Sequence, residues 1–166
     1  MRAFFFLTLC QVLFAAAAFG YPMTPDADET PGSVCTTSND DFDEYRYPEK
    51  IPYCGRNVAS SLKKEIYEWY GISESERKDY TIDHLIPLSI GGDNDRRNLW
   101  PEHKEVKATR PDLEMKLYKQ LRDAKIKQKI AIEKILEVKF NPETNRLRLR
   151  YRLKPVSPMQ WMETGY

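Results

Sequence analysis

Both histidines of this 166-residue chain fall within one short window, together with a carboxylate and an amide. Asp83 and His84 are adjacent, Asn98 follows behind a glycine turn, and His103 comes five residues after Asn98. An imidazole titrates near neutral pH and suits a general base, whereas a carboxylate suits a hard divalent cation. Each residue alone has an ordinary structural explanation, but the set together indicates an active site.

Because Asp83 and His84 are adjacent in the sequence, the backbone geometry decides whether their side chains can belong to one site. Adjacent residues on a β-strand point to opposite faces, so both serve one site only if the strand twists or bends. Pro87 and the glycine turn at 91–92 favour such a bend. Otherwise His84 is a structural histidine, Asp83 a surface carboxylate and Asn98 a turn residue.

The pattern around this window predicts an α+β fold of helices and short hairpins. Apolar residues at helical spacing alternate with turn signals and with segments of period two. The predicted elements are a helix over 57–70, strands over 80–88 and 98–100, a helix beginning at Pro101, a helix from Asp112, a helix over 126–136 and a strand over 146–154. The hairpin on either side of the 91–94 turn carries Asp83 and His84.

Three motifs make up the window: Asp83-His84-Leu85-Ile86-Pro87-Leu88, Gly91-Gly92-Asp93-Asn94 and Asn98-Leu99-Trp100-Pro101. This combination resembles the HNH endonuclease family, whose active site is a ββα-metal motif. It is most similar to the bacterial and phage branch that reads D-H-x-x-P-L-x-x-G-G-x-N and then N-L-W-P. The resemblance covers roughly residues 45–138, and its specific part is confined to 80–104.

The resemblance implies a role for each residue of the window. His84 matches the general base that takes a proton from the water attacking a phosphodiester. Asp83 matches a metal ligand. Asn98 matches the family's catalytic-site asparagine, which braces the loop and the histidine and in related ββα-metal nucleases binds the metal itself. The metal would be a divalent cation, Mg²⁺ first, with Mn²⁺ or Zn²⁺ as alternatives.

The second metal ligand departs from the family pattern, because no cysteine-rich knuckle follows the motif. We expect His103 to be this ligand, with Glu102 or Glu105 as the substitutes. A zinc site built from both histidines and two cysteines is disfavoured, since the spacings match no closed zinc module. Its residues would be Cys35, Cys54, His84 and His103.

The net charge of +1, from 26 basic and 25 acidic residues, conceals an uneven distribution. Residues 21–49 are acidic, with Arg46 as their only base, whereas 96–154 are strongly basic. The basic residues that flank the window are expected to bind nucleic-acid phosphates: Arg96, Arg97, Lys104, Lys107 and Arg110. The basic face of the 146–154 strand either extends this track or protects a sheet edge from aggregation.

The ends and the cysteines indicate export. Residues 1–20 have the pattern of a secretory signal peptide, cut before Tyr21, and the mature protein should contain no membrane span. The remaining cysteines, Cys35 and Cys54, are expected to form a disulfide outside the cytoplasm. The predicted parts are this signal peptide, a flexible acidic arm over 21–49, an HNH domain over 50–138 and a basic strand or hairpin with a tail over 139–166.

These features together predict a secreted or periplasmic, metal-dependent HNH endonuclease. Its oligomeric state is not determined by the sequence, although a monomer is favoured. Its expected substrate is DNA, with RNA as a further candidate, and its sequence specificity is expected to be low because no separate DNA-reading domain is recognisable. Two alternatives stay open. One is a catalytically silent nucleic-acid-binding or envelope module, and the other is a metal-dependent hydrolase of a different substrate.

Overall fold

The computed structural model describes residues 20–141 and has a mixed architecture compatible with the predicted α+β class. Its first two strands pair with each other, and so do its third and fourth strands, both pairs being antiparallel. The signal peptide predicted for 1–20, apart from Gly20, and the strand predicted for 146–154 lie outside the described residues. The elements are β1 (Phe42–Arg46), β2 (Ile51–Cys54), α1 (Ser60–Trp69), β3 (Tyr80–His84), β4 (Leu99–His103), α2 (Lys104–Lys107), α3 (Leu113–Arg122) and α4 (Gln128–Lys139).

The β3–β4 hairpin carries the candidate residues. Its register runs without a break from Tyr80 opposite His103 to His84 opposite Leu99. Pro101 was expected to begin a helix, but it lies within β4, which is therefore longer than predicted. A proline is tolerated there because both strands of a two-stranded sheet are edge strands, each with one side that needs no backbone donor.

The loop between β3 and β4 is held by the fully buried side chain of Asn98. Its Oδ1 accepts a hydrogen bond from the amide of Ile86 at 2.8 Å, and its Nδ2 donates to the carbonyl oxygens of Ile86 and Asp93, both at 2.9 Å. A Cβ at Gly92 would overlap the carbonyl oxygen of Ile86, so only glycine allows this close approach. Asn98 and Gly92 thus fix the path of the chain after His84.

Buried apolar side chains join the helices to this hairpin. Ile66 of α1 packs with Ile82 and Leu99, on one face of the hairpin. Leu117 and Leu121 of α3 have the helical spacing seen in the sequence and are buried in a cluster that includes residues of α4. None of the helices between residues 20 and 141 has the length and apolar character needed to cross a bilayer.

Residues 21–49 differ from the flexible acidic arm that the sequence predicts. Met23, Thr30 and Cys35 are buried, and the β1–β2 hairpin crosses the predicted domain boundary at 49/50. The boundary predicted after residue 138 also falls inside an element, because α4 ends at Lys139. A few buried side chains and a disulfide order a segment whose composition alone is typical of a disordered one.

Cys35 and Cys54 form the predicted disulfide, with their Cα atoms 5.7 Å apart. The bond joins the N-terminal segment to the end of β2. Both sulfur atoms are consumed by it, so the disfavoured zinc site with His84 and His103 does not form. A disulfide of this kind fits an oxidising environment.

We expect reduction of the Cys35–Cys54 disulfide to lower the free energy of unfolding by about 3 kcal/mol, because the bond restricts the unfolded chain. Urea denaturation with and without a thiol reductant measures the difference. The Cys35→Ala/Cys54→Ala double variant is the control, since its unfolding curve should not respond to reductant. Equal stability of the oxidised and reduced wild-type protein would contradict this expectation.

Candidate active site

His84 ends β3 with its imidazole buried, and each ring nitrogen has a partner. Nε2 lies 2.9 Å from Oδ1 of Asn94, and Nδ1 lies 3.3 Å from Nη2 of Arg56, an exposed residue before α1. Burial lowers the pKa of His84, and the positive charge of Arg56 acts in the same direction. The ring is therefore neutral near pH 7, which is the form that accepts a proton.

Asn94 is held in turn by the first hairpin. Its Nδ2 donates to Oδ2 of Asp41 and to the carbonyl oxygen of Gly55, the latter at 2.6 Å. The Gly55 amide donates to the carbonyl oxygen of Asp41 at 2.9 Å, which ties the two residues together. In the sequence, Asn94 belongs to the turn motif, and neither its contact with His84 nor the participation of Asp41 was predicted.

Asp83 points away from His84, because both residues belong to the unbroken β3–β4 ladder. Its Oδ1 accepts a hydrogen bond from Nζ of Lys107 at 2.7 Å, and its Oδ2 accepts one from Nζ of Lys139 at 3.0 Å. Burial acts to raise the pKa of Asp83, but the two ammonium groups outweigh it and hold the pKa well below its usual range. Asp83 and His84 therefore have different side-chain partners.

Lys139 connects these two halves of the site. Its side chain is fully buried at the end of α4, and its Nζ donates to Oδ2 of Asp83, to the carbonyl oxygen of His84 at 2.6 Å and to Oε1 of Glu114 at 3.1 Å. These three acceptors match the three donors of an ammonium group. Lys139 is the first residue of the basic strand or hairpin and tail predicted over 139–166, and this buried role was not predicted.

Glu102 lies on the same face of the hairpin as Asp83. Glu102 is opposite Thr81 in the ladder, and Thr81 points to the same side as Asp83, which is two residues further along β3. One of its oxygens pairs with the buried guanidinium of Arg110, and the other lies 3.8 Å from Nζ of Lys107. Arg110 was predicted to bind nucleic acid. Its side chain is instead committed to an internal ion pair, which the local charge pattern did not reveal.

His103 lies on the opposite face of the hairpin from Asp83, at the far end of the ladder. Its ring stacks on Tyr21 with centroids 3.8 Å apart, and its Nδ1 accepts a hydrogen bond from the Glu105 amide at 3.3 Å, capping α2. The structure therefore does not bring His103 to Asp83 as the metal prediction required. Of the two substitutes, Glu102 shares the Asp83 face, whereas Glu105 accepts a hydrogen bond from Tyr21.

The carboxylates of Asp83 and Glu102 converge on the ammonium of Lys107, and this is where a divalent cation would fit. Oδ1 of Asp83 and Oε2 of Glu102 lie 2.7 and 3.8 Å from its Nζ, and the Lys107 side chain is half exposed. Mg²⁺ is commonly bound by one or two carboxylates, with water and substrate phosphate completing its shell. The donor types fit, although residues 20–141 contain no group of three His, Cys, Asp or Glu side chains that could hold a metal ion.

The other predicted phosphate-binding residues differ in how available they are. Arg97 and Lys104 are exposed, the latter in a surface ion pair. Arg96 is partly buried, pairs with Glu29 at 3.1 Å and stacks 3.6 Å above the ring of Trp69. The basic residues of the predicted set that are most accessible to a ligand are therefore Arg97, Lys104 and Lys107.

The site combines a neutral imidazole, an exposed arginine beside it and a carboxylate pair that already attracts cations. Comparison with known protein families, curated proteins and solved structures finds no match for the chain. The groups present can accept a proton from water, hold an anion and attract a cation. Those are the requirements of phosphodiester hydrolysis.

Proposed function

We propose that the protein is an exported, metal-dependent endonuclease of the HNH type that hydrolyses DNA, with RNA as a further candidate, and with little sequence specificity. The observation that carries this proposal is the buried imidazole of His84, whose pKa is lowered by burial, with the exposed Arg56 at one of its nitrogens. The motif around Asp83 and His84 supports the reaction class by its resemblance. The Cys35–Cys54 disulfide and the predicted signal peptide support export.

In the proposed reaction, His84 removes a proton from the water whose oxygen bonds to phosphorus, while the bridging oxygen of the departing nucleotide leaves. His84 is 2% exposed, and Arg56 covers its Nδ1 in the free protein. A phosphodiester would draw the guanidinium away from the ring, because arginine pairs with phosphate oxygens through two parallel hydrogen bonds. The same movement would bind the substrate and uncover the base.

Asp83 and Glu102 would hold the divalent cation, for which Mg²⁺ is the first candidate. When bound, the ion would neutralise charge that develops on the phosphate and the leaving oxygen. Lys107 would give up its place at Oδ1 of Asp83, and its exposed side chain is free to turn towards a phosphate of the nucleic acid. Lys139 would stay, since it is buried and contacts the other oxygen of Asp83.

We expect Lys107→Met to lower the Mg²⁺ concentration needed for half-maximal activity by up to about fivefold, because a partly exposed ion pair that competes with the metal is worth at most about 1 kcal/mol. A Mg²⁺ titration of initial cleavage rates measures this. Lys104→Met is the matched control, because Lys104 is a nearby exposed lysine whose ion pair lies with Asp79. An unchanged Mg²⁺ requirement in Lys107→Met would show that the lysine and the metal do not share a position.

The surface of α3 and α4 supports a polyanionic substrate. Burial lowers the pKa of Lys116 of α3, and the charge of the nearby Lys134 of α4 lowers it further. A fold that holds like charges together in this way favours the binding of a polyanion. With Arg97 and Lys104, these residues offer contacts to the phosphate backbone that carry no sequence information.

The test is the conversion of supercoiled plasmid to its open-circular form by the purified, disulfide-bonded protein. Cleavage with Mg²⁺ or Mn²⁺ that stops when EDTA is added would support the proposal. Absence of cleavage of DNA and of RNA with Mg²⁺, Mn²⁺ and Zn²⁺ would contradict it.

A nucleic-acid-binding module without catalysis is the alternative that one observation favours, since lysine ammonium groups contact both carboxylate oxygens of Asp83. In such a module Lys107 would stay in place when DNA binds. DNA binding at low salt, with no cleavage by the wild type or by His84→Ala, would identify it. Failure to bind DNA would instead favour the hydrolase of a different substrate.

A further inference from the structure

We propose that Asp41 and Asn94 are positioning residues that keep Nε2 of His84 protonated, so that Nδ1 is the atom that accepts the proton from the attacking water. The inference rests on the proposed nuclease function and names the side of the imidazole on which the reaction takes place. It follows from the hydrogen bonds made by the side chains of His84, Asn94 and Asp41. The sequence motif alone does not connect Asn94 or Asp41 to the histidine.

The orientation of the Asn94 amide is set by its surroundings. Its nitrogen donates to two acceptors, the Asp41 carboxylate and the Gly55 carbonyl oxygen. Rotation of the amide by half a turn would place the Asn94 oxygen against both of these oxygens and would lose both hydrogen bonds. The Asn94 oxygen therefore faces Nε2 of His84, at 2.9 Å.

An amide oxygen only accepts hydrogen bonds, so Nε2 must donate the proton between them. A neutral imidazole carries one N–H, which leaves Nδ1 with the lone pair. Nδ1 is also the nitrogen beside Arg56, whose side chain is exposed at the protein surface. The lone pair and the proposed phosphate-binding group thus lie on the same side of the ring.

The Asp41 carboxylate comes from the segment that the disulfide attaches to the fold. Asp41 directly precedes β1, and its carbonyl oxygen accepts a hydrogen bond from Gly55, the residue after Cys54. The order of this N-terminal segment is therefore coupled to the orientation of the catalytic ring. Its predicted role as a flexible acidic arm gave no reason to expect this.

The tautomer is directly measurable, because the chain contains only two histidines. Long-range ¹H–¹⁵N spectra of the ¹⁵N-labelled, disulfide-bonded protein in EDTA distinguish an N–H ring nitrogen from one with a lone pair. His103→Gln removes the second ring and assigns the signals. We expect Nε2 of His84 to have the shift of an N–H nitrogen and Nδ1 that of a nitrogen with a lone pair.

Variants connect this arrangement to the rate. We expect Asn94→Leu and Asp41→Leu to give mixed tautomers and to lower kcat about 10- to 100-fold, as is typical when the partner that orients a functional histidine is lost, with KM changed by less than about twofold. Asp41→Asn should rescue most of kcat, since an amide oxygen still accepts from Asn94. Asp40→Leu is the matched control, because Asp40 is the adjacent exposed acid.

The outcomes separate the inference from the proposed function. Nδ1–H in the wild type would overturn the inference, as would an unchanged kcat in folded Asp41→Leu whose tautomers have become mixed. If Asn94→Leu does not fold, Asp41→Leu serves as the test variant, because Asp41 is less buried than Asn94 and its substitution should disturb the fold less. The expected tautomer in a wild type that cleaves neither DNA nor RNA would overturn the proposed function, and the catalytic part of the inference with it.

Discussion

His84→Ala is expected to lower the rate of plasmid cleavage by at least about 100-fold, because a positioned general base contributes about 10²- to 10⁴-fold to such a reaction. The side chains that contact its ring nitrogens cannot replace it, because neither Asn94 nor Arg56 accepts a proton at neutral pH. Initial rates at saturating Mg²⁺ measure the loss. DNA affinity should stay within a few-fold of the wild type, because the imidazole is buried and uncharged.

His103→Gln is the matched control for this experiment, since His103 is the only other histidine of the chain. Its ring packs on Tyr21 and caps α2, far along the hairpin from Asp83, so we expect nearly unchanged kcat and Mg²⁺ requirement. A loss of activity that excess Mg²⁺ restores would show that the sequence-based metal assignment of His103 is right. Equal activity of His84→Ala and the wild type would remove the general base from the proposal.

The features that the sequence predicted are those whose causes are local. The loop brace by Asn98 is one of them, because Asn98 and the residues that it contacts, Ile86 and Asp93, all belong to the motif window from which it was predicted. The sequence also predicts the Cys35–Cys54 disulfide. Cys10 belongs to the predicted signal peptide, so Cys35 and Cys54 are the two cysteines expected in the mature protein, and they can pair in one way. The helical stripe of Leu117 and Leu121 depends only on spacing.

The contacts that complete the site join residues far apart in the sequence. They were not predicted, because the residues involved lie in segments whose composition is typical of solvent-exposed chain. Asp41 belongs to a stretch rich in acids, and Lys139 ends a lysine-rich helix, where a solvated side chain is the usual outcome. One signal did exist for Lys139, since it continues the spacing of Ala131 and Ile135, both buried on the same face of α4. A lysine at a core position needs a buried acid, and Asp83 is the acid it meets.

Two errors have a common physical origin. Pro101 resembles a helix start, and residues 21–49 resemble a disordered arm, because local propensities were applied without tertiary context. Pairing along β3 keeps Pro101 extended, and burial of Met23 and Cys35 orders the arm. Both corrections matter for the site. The longer β4 turns His103 away from Asp83, and the ordered arm brings Asp41 to Asn94.

Lys139→Met is expected to lower the free energy of unfolding by about 3–5 kcal/mol, the usual cost of removing one partner from a buried ion pair. The variant keeps the length of the side chain but removes the Lys139 donor from Oδ2 of Asp83, from Glu114 and from the carbonyl oxygen of His84, so that Asp83 keeps only its contact with the half-exposed Lys107. Urea denaturation at pH 7 in EDTA measures the change. Lys134→Met, an exposed position on the same helix, is the matched control and should stay within about 0.5 kcal/mol of the wild type.

The pH dependence of this loss identifies the partner. The lysines hold the pKa of Asp83 below its value in the unfolded chain, which is about 3.9, so the Asp83 contribution to stability is complete above that value and declines as the pH falls towards the lowered pKa. The difference between wild type and Lys139→Met should therefore shrink below about pH 4. Adding Asp83→Asn to Lys139→Met should recover part of the stability, because it removes a buried charge whose remaining ammonium partner, Lys107, is half exposed. A loss that neither acid nor Asp83→Asn reduces would mean that Lys139 stabilises the fold by packing alone.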